Sequence, residues 1–219
     1  MLDRTGQRIV GVLIEKELTV PDSYPLTENS LLLGCNQKSN RDPEMNLEEF
    51  VVRGALMQLR LQGWVTQREG GRAERFKHEI ESKLGVDAAA KALLAELLLR
   101  GPQTPTELRT RCARMGLHRD VAGIESLLRE LAARQPKPLV ELLPRRPRER
   151  DARWTHLLGP VDVASPAASE RPSASPTSSV VHADPIPTPD HDPQDPLARI
   201  ARLEAQVADL TRRLDALTG

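Results

Sequence analysis

The feature that most constrains this chain is a repetition. Leu31-x-x-x-Cys35 returns as Leu108-x-x-x-Cys112, 77 residues later, and Arg75-Phe76-x-His78 returns as Arg153-Trp154-x-His156, 78 residues later. Two motifs that recur at nearly one offset mark a structural unit used twice. Any fold proposed for the chain has to place both copies in equivalent settings.

The stretches around the motifs say what the unit is. Ile9, Val10, Leu13, Ile14 and Leu18 share one face at helical spacing, which predicts a helix over about 2–18 that Pro21 and Pro25 terminate. Thr27 is a candidate N-cap for a second helix through Leu31, Leu32 and Cys35. A third helix is expected from Asn46, with Glu49 closing a capping box, Val52, Ala55, Leu56 and Leu59 as its core stripe, and Gly63 as its stop. "WVTQREGGRAERFKHEI" then reads as two strands around a Gly70-Gly71 turn.

The second copy has the same order. Leu94, Leu97 and Leu98 lie on a helix that ends at Gly101. "TPTEL" opens the next one with Thr104 as N-cap, Pro105 at the first helical position and Glu107 closing a capping box. Val121, Ile124, Leu127, Leu128 and Leu131 stripe a third, and "PLVELL" and "RWTHLL" are strands flanking an arginine-rich loop. Three helices and a β-hairpin make the winged-helix plan. Units of this size sit near the lower limit for an independent core, so packing the two together would help both.

Composition changes where the repeat ends. All five aromatic rings precede residue 155, and 8 of the 34 residues from Pro160 to Pro193 are proline. Such a segment buries too little apolar surface to offset its ordering entropy. Beyond it, Ile200, Leu203, Val207, Leu210, Leu214 and Leu217 alternate three and four apart, the seam of a coiled coil that is too short to be stable without a partner. The expected fold is therefore mainly α with small β-wings (α+β). It comprises tandem winged-helix domains over 1–85 and 86–158, a disordered linker over 159–194 and a coiled-coil helix over 195–218 that makes a homodimer.

Net charge is zero over the 219 residues, which removes whole-chain steering toward nucleic acid or membrane. The distribution is uneven: residues 1–85 carry 12 basic and 13 acidic side chains, 86–158 carry 14 and 9, and 159–219 carry 5 and 9. Cys35 and Cys112 have no framework spacing and suit a reducing cytoplasm as small core residues. No signal peptide and no membrane span are expected.

Three stretches resemble the YceH-like family of bacterial proteins: "LIEKELTVPDSYPLTENSLLLGCNQKSNRDPEM", "GRAERFKH" and "LLLRGPQTPTELRTR". The octet "NQKSNRDP" is the most specific of these, and the likeness spans about residues 2–158. The chain departs from the family pattern at Glu44, where a small apolar residue is expected, and at Phe76, where tyrosine is expected. The resemblance implies two tandem winged-helix domains and supplies no activity.

Candidate sites follow from the same residues. In "NQKSNRDP", Asn36, Gln37, Lys38, Asn40 and Arg41 form either a contact patch for phosphate or a partner peptide, or a turn that satisfies its own hydrogen bonds. The third helix is expected to begin Leu47-Glu48-Glu49, whose carboxylates suit the helix dipole and repel DNA phosphates. The wings are more basic: Arg72, Arg75 and Lys77 in the first, with Arg145, Arg146, Arg148 and Arg150 in the second. They fit double-stranded DNA or an acidic protein partner. His78 and His156 each share a strand face with an aromatic ring and read as structural. With no convergent nucleophile and base, no metal-ligand spacing and no phosphate loop, neither an enzyme nor a cofactor is expected. A DNA-binding regulator and a protein-interaction adaptor both remain open.

Overall fold

The computed structural model describes residues 1–68, 73–145, 147 and 149–161. Asp3 opens α1 (Arg4–Thr19) by accepting the Gly6 N–H at 2.7 Å. A single 3-10 turn, Pro21–Ser23, leads into β1 (Leu26–Thr27). Thr27 then caps α2 (Glu28–Cys35) through the Ser30 N–H, as its sequence position predicts. After the polar loop come α3 (Glu49–Leu61), β2 (Val65–Arg68), β3 (Arg75–His78) and a five-residue helix, α4 (Ile80–Leu84). The three strands form one antiparallel sheet in the order β1-β3-β2, with Leu26 opposite Phe76 and Val65 opposite His78.

The following segment repeats much of this order. Asp87 caps α5 (Ala88–Arg100), and Thr104 with Glu107 closes the expected capping box at the start of α6 (Pro105–Cys112). A 3-10 turn, Ala113–Met115, precedes α7 (Val121–Ala132), which Asp120 caps. β4 (Val140–Leu142) pairs antiparallel with β5 (Trp154–His156), Val140 facing His156. Gln103 makes a bridge to Trp154, the counterpart of the β1 contact with Phe76. The two histidines are held alike: the Ile80 N–H donates to His78 Nδ1 at 3.4 Å and the Leu158 N–H to His156 Nδ1 at 3.3 Å. Overall, the described residues form a mixed fold of helices with small antiparallel sheets.

α1 and α5 pack side by side and form the centre of one continuous core. Ile9, Val10, Leu13 and Ile14 of α1 and Leu93, Leu94, Leu97 and Leu99 of α5 are fully buried. Their approach depends on Gly11, where an added β-carbon would lie 2.9 Å from Leu99 Cγ. Leu31, Cys35, Leu108 and Cys112, the first repeated motif, are all at 0% exposure. Both thiols are free, and burial pushes Cys35 up to about 12.

The third helix starts later than expected. Its first residue is Glu49 and no side chain caps it, so Asn46 is not an N-cap. Asn36 is the physical reason, since its side-chain amide pairs with both backbone groups of Leu47 and holds the chain ahead of the first turn. α4 and β1 have no counterpart in the sequence expectations. The Gly70-Gly71 turn and residues 162–219, including the linker and the helix expected at 195–218, lie outside the described residues.

Candidate interaction surfaces

In the polar loop between α2 and α3, Arg41 is buried and Asn36, Gln37 and Asn40 are half-buried. Asn36 Nδ2 donates to the Leu47 carbonyl at 2.9 Å, and the Leu47 N–H donates to Asn36 Oδ1 at 2.8 Å. Arg41 is 5% exposed and grips Glu15 with both terminal nitrogens, at 3.1 and 2.5 Å. Its Nε donates to the Gly34 carbonyl and its Nη2 to Gln37 Oε1. Asn40, at φ 59°, accepts from Arg100 Nη2 at 2.5 Å. Only Lys38 of the five stands fully in solvent. Asp42 and Glu44, the nearest acids in sequence, are not the partners of Arg41.

Glu15 is the hub of this arrangement. Arg114 also bonds it, and Arg114 Nη2 reaches Glu96 Oε2 at 3.1 Å. Glu96 in turn lies 3.0 Å from Arg100 Nε. Burial alone would raise the Glu15 carboxyl, but Arg41 and Arg114 together hold it below the usual carboxylate range. The network fastens α1, α2 and α5 to each other. Charges this deeply paired cannot also meet an outside ligand without breaking the pairing.

A second buried polar group surrounds His78. Its Nε2 lies 2.9 Å from Glu17 Oε2, which also takes Lys91 Nζ at 2.5 Å, and Lys91 reaches Glu81 at 2.8 Å. The Tyr24 hydroxyl accepts the His78 N–H at 2.9 Å. Burial lowers the His78 pKa despite Glu17. Among the described residues no serine, threonine or cysteine side chain is hydrogen-bonded to this histidine, which anchors β3 to α1 and, through Glu17, to α5.

The wings differ in how freely their cations stand. Arg75 donates to the Pro25 carbonyl, and Lys77 pairs with Glu79 at 2.8 Å. Arg145 and Arg150 are exposed, and Arg145 Nη1 donates to the Arg150 carbonyl at 3.4 Å. Arg153 is drawn inward to Glu107 at 2.8 Å and Glu149 at 3.4 Å. Arg72, Arg146 and Arg148 lie outside the described residues.

The surface that sequence reasoning missed is the outer side of α3. Val52, Leu56 and Leu59 face the core. On the opposite side of the same helix, Phe50 is 73% exposed, Met57 59% and Leu61 77%. Gly54 lies between them, and a β-carbon there would meet nothing within 4 Å. A mid-helix glycine costs roughly 0.5–1 kcal/mol relative to alanine, and nothing inside the chain repays it. Arg53 on the flank is committed to Glu28 at 3.0 Å and to Glu49. The available signal was the doubled apolar spacing, Phe50-Met57-Leu61 beside Val52-Leu56-Leu59. A single-stripe reading of the helix passes over it.

No helix among the described residues is long and apolar enough to cross a membrane. No group of three or more His, Cys, Asp or Glu among them is placed to hold a metal ion.

Comparison with known proteins fixes the family. A family described as "Protein of unknown function, DUF480" matches residues 2–149. The chain belongs to that family. A UPF0502 protein of Dechloromonas aromatica is 43% identical over 204 residues, covering 93% of this chain and 89% of its own length. One from Leptothrix cholodnii is 46% identical over 208 residues, covering 94% and 92%. A third, from Geobacter sulfurreducens, is 50% identical over 159 residues, covering 72% of each. The YceH-like resemblance carried by "NQKSNRDP" is to this DUF480 family.

Proposed function

We propose that this DUF480 chain is a non-enzymatic tandem winged-helix interaction protein, and that two copies pair through α3. The winged-helix units are residues 1–85 and 86–158, joined back to back by α1 and α5. The observation that carries the reading is the outer face of α3. In a winged-helix DNA reader this helix enters the major groove and needs polar and basic side chains. Here the face is Phe50, Gly54, Met57 and Leu61, and such a patch on a small protein marks a docking surface.

The face is complementary to itself. In an antiparallel pair with its two-fold axis between Ala55 and Leu56, Phe50 opposes Leu61 of the partner subunit. Met57 then fills the notch left by Gly54 of the partner subunit. An isologous contact needs this kind of matching. Residues 195–218, with Ile200, Leu203, Val207, Leu210, Leu214 and Leu217, add a second pairing element in the same proposal. The test is the dimer dissociation constant of the full chain, measured by dilution, for wild type against Met57→Ser and Leu61→Ser.

A second reading rests on the exposed Arg145 and Arg150. A second wing of this kind suits phosphate contact along duplex DNA. Fluorescence anisotropy on a random duplex across a salt series tests it. Wing-dependent binding has a steep salt slope that Arg145→Ala with Arg150→Ala flattens.

A further inference from the structure

Between the start of α1 and the end of α5 lies a partly open cavity of about 70 Å³. Its wall carries Arg4 and Arg8 from α1, Arg100 from α5, Arg153 and His156 from the β5 region, and one carboxylate, Asp42. Arg100 and Arg153 already hold carboxylates: Glu96 for the first, Glu107 and Glu149 for the second. Arg8 does not. It is 2% exposed, its Nη1 and Nη2 donate to the Cys35 and Pro43 carbonyls, and its Nε has no partner. No carboxylate lies within ion-pair distance of it among the described residues.

A buried guanidinium without a counter-ion is costly, and proteins normally pair it. Desolvation and the neighbouring Arg41 lower the Arg8 pKa to about 10, more than Asp42 and Glu15 raise it from a distance. Among the other polar groups on the wall, His156 is also a donor. His156 Nδ1 accepts the Leu158 N–H, which leaves the ring proton on Nε2. The wall therefore offers N–H donors, among them a buried guanidinium with no carboxylate in ion-pair range among the described residues, to a space of limited size.

We propose that this cavity binds a phosphate-sized oxyanion, either inorganic phosphate or the terminal phosphate of a small molecule. The ligand supplies the missing counter-charge to Arg8. Calorimetric titration of the full chain tests this with sodium phosphate in one arm and glycerol 3-phosphate in the other, against sodium chloride at matched ionic strength. One site with a Kd below about 1 mM is expected in at least one arm. Phosphate alone indicates the free ion, and binding of the ester indicates a terminal group. Arg8→Gln should abolish binding. Should circular dichroism show that variant unfolded, Arg8→Lys, which removes Nε and the guanidinium fork, decides, with an expected loss of fivefold or more. The proposal is overturned by the absence of saturable heat above chloride in both arms, or by wild-type affinity in the deciding variant.

Discussion

Asn36 and Leu47 form a two-bond amide pair, the side chain of one closing on both backbone groups of the other at 2.9 and 2.8 Å. This pair sets where α3 begins and therefore which side chains its outer face displays. Asn36→Ala removes both bonds and leaves the half-buried Leu47 backbone unsatisfied. The expected cost is about 2 kcal/mol, at roughly 1 kcal/mol per bond, read as a lower urea midpoint with an unchanged m-value. A loss under half that size would mean that water replaces the pair.

Glu15 and Arg41 make the deepest ion pair, with side chains 2% and 0% exposed. Removing one partner strands a buried charge. Arg41→Met or Glu15→Gln alone should therefore destabilise by about 3–5 kcal/mol. The double variant Glu15→Gln with Arg41→Met should cost clearly less than the two singles added. Denaturant unfolding of the three variants forms the cycle, and strict additivity would contradict direct coupling.

Acid should weaken the fold through the histidines before the carboxylates titrate. Burial lowers His156 to about 4 and lowers His78 as well. The unfolded chain, titrating near the ordinary 6.5, then binds more protons than the folded one below that pH. Stability is fully present above about pH 6.5 and falls as pH drops from there toward 4. For His156 the loss by pH 4 is on the order of 3 kcal/mol, taking about 1.4 kcal/mol per pKa unit. Unfolding midpoints from pH 7.5 to 4.5 should show this slope, and His156→Gln should flatten it.

Gly11 is where α1 and α5 come closest. Gly11→Val places a branched side chain against Leu99 and Leu98, whose atoms lie 2.9–3.3 Å from a β-carbon at that point. Overpacking of this kind costs about 1–3 kcal/mol, and thermal unfolding should register it. Gly54→Ala should do the opposite for the isolated subunit, because nothing surrounds that site and alanine favours the helix.

Local chemistry was legible in the sequence, and long-range pairing was not. Thr27 and the Thr104–Glu107 box cap helices as their spacing predicts, because a cap involves residues only two or three apart. The repeated motifs also lie on matching elements, since core positions are written in apolar periodicity. By contrast, Asn36 finds its partner 11 residues away, Arg41 finds Glu15 at 26 and Glu15 finds Arg114 at 99. Those distances belong to the folded chain, which is why the internal bonds of Asn36 and Arg41 cannot be read from the polar loop's sequence. The cavity at Arg8 was hidden for the same reason: its walls come from both halves of the sequence.

The most direct test of the central claim is sedimentation equilibrium of the full chain over a wide concentration range, alongside Met57→Ser with Leu61→Ser. The account predicts a dimer whose Kd rises tenfold or more in the variant, about 1.4 kcal/mol, with unchanged subunit stability. A monomeric wild type, or a dimer with the same Kd in both proteins, would contradict pairing through α3.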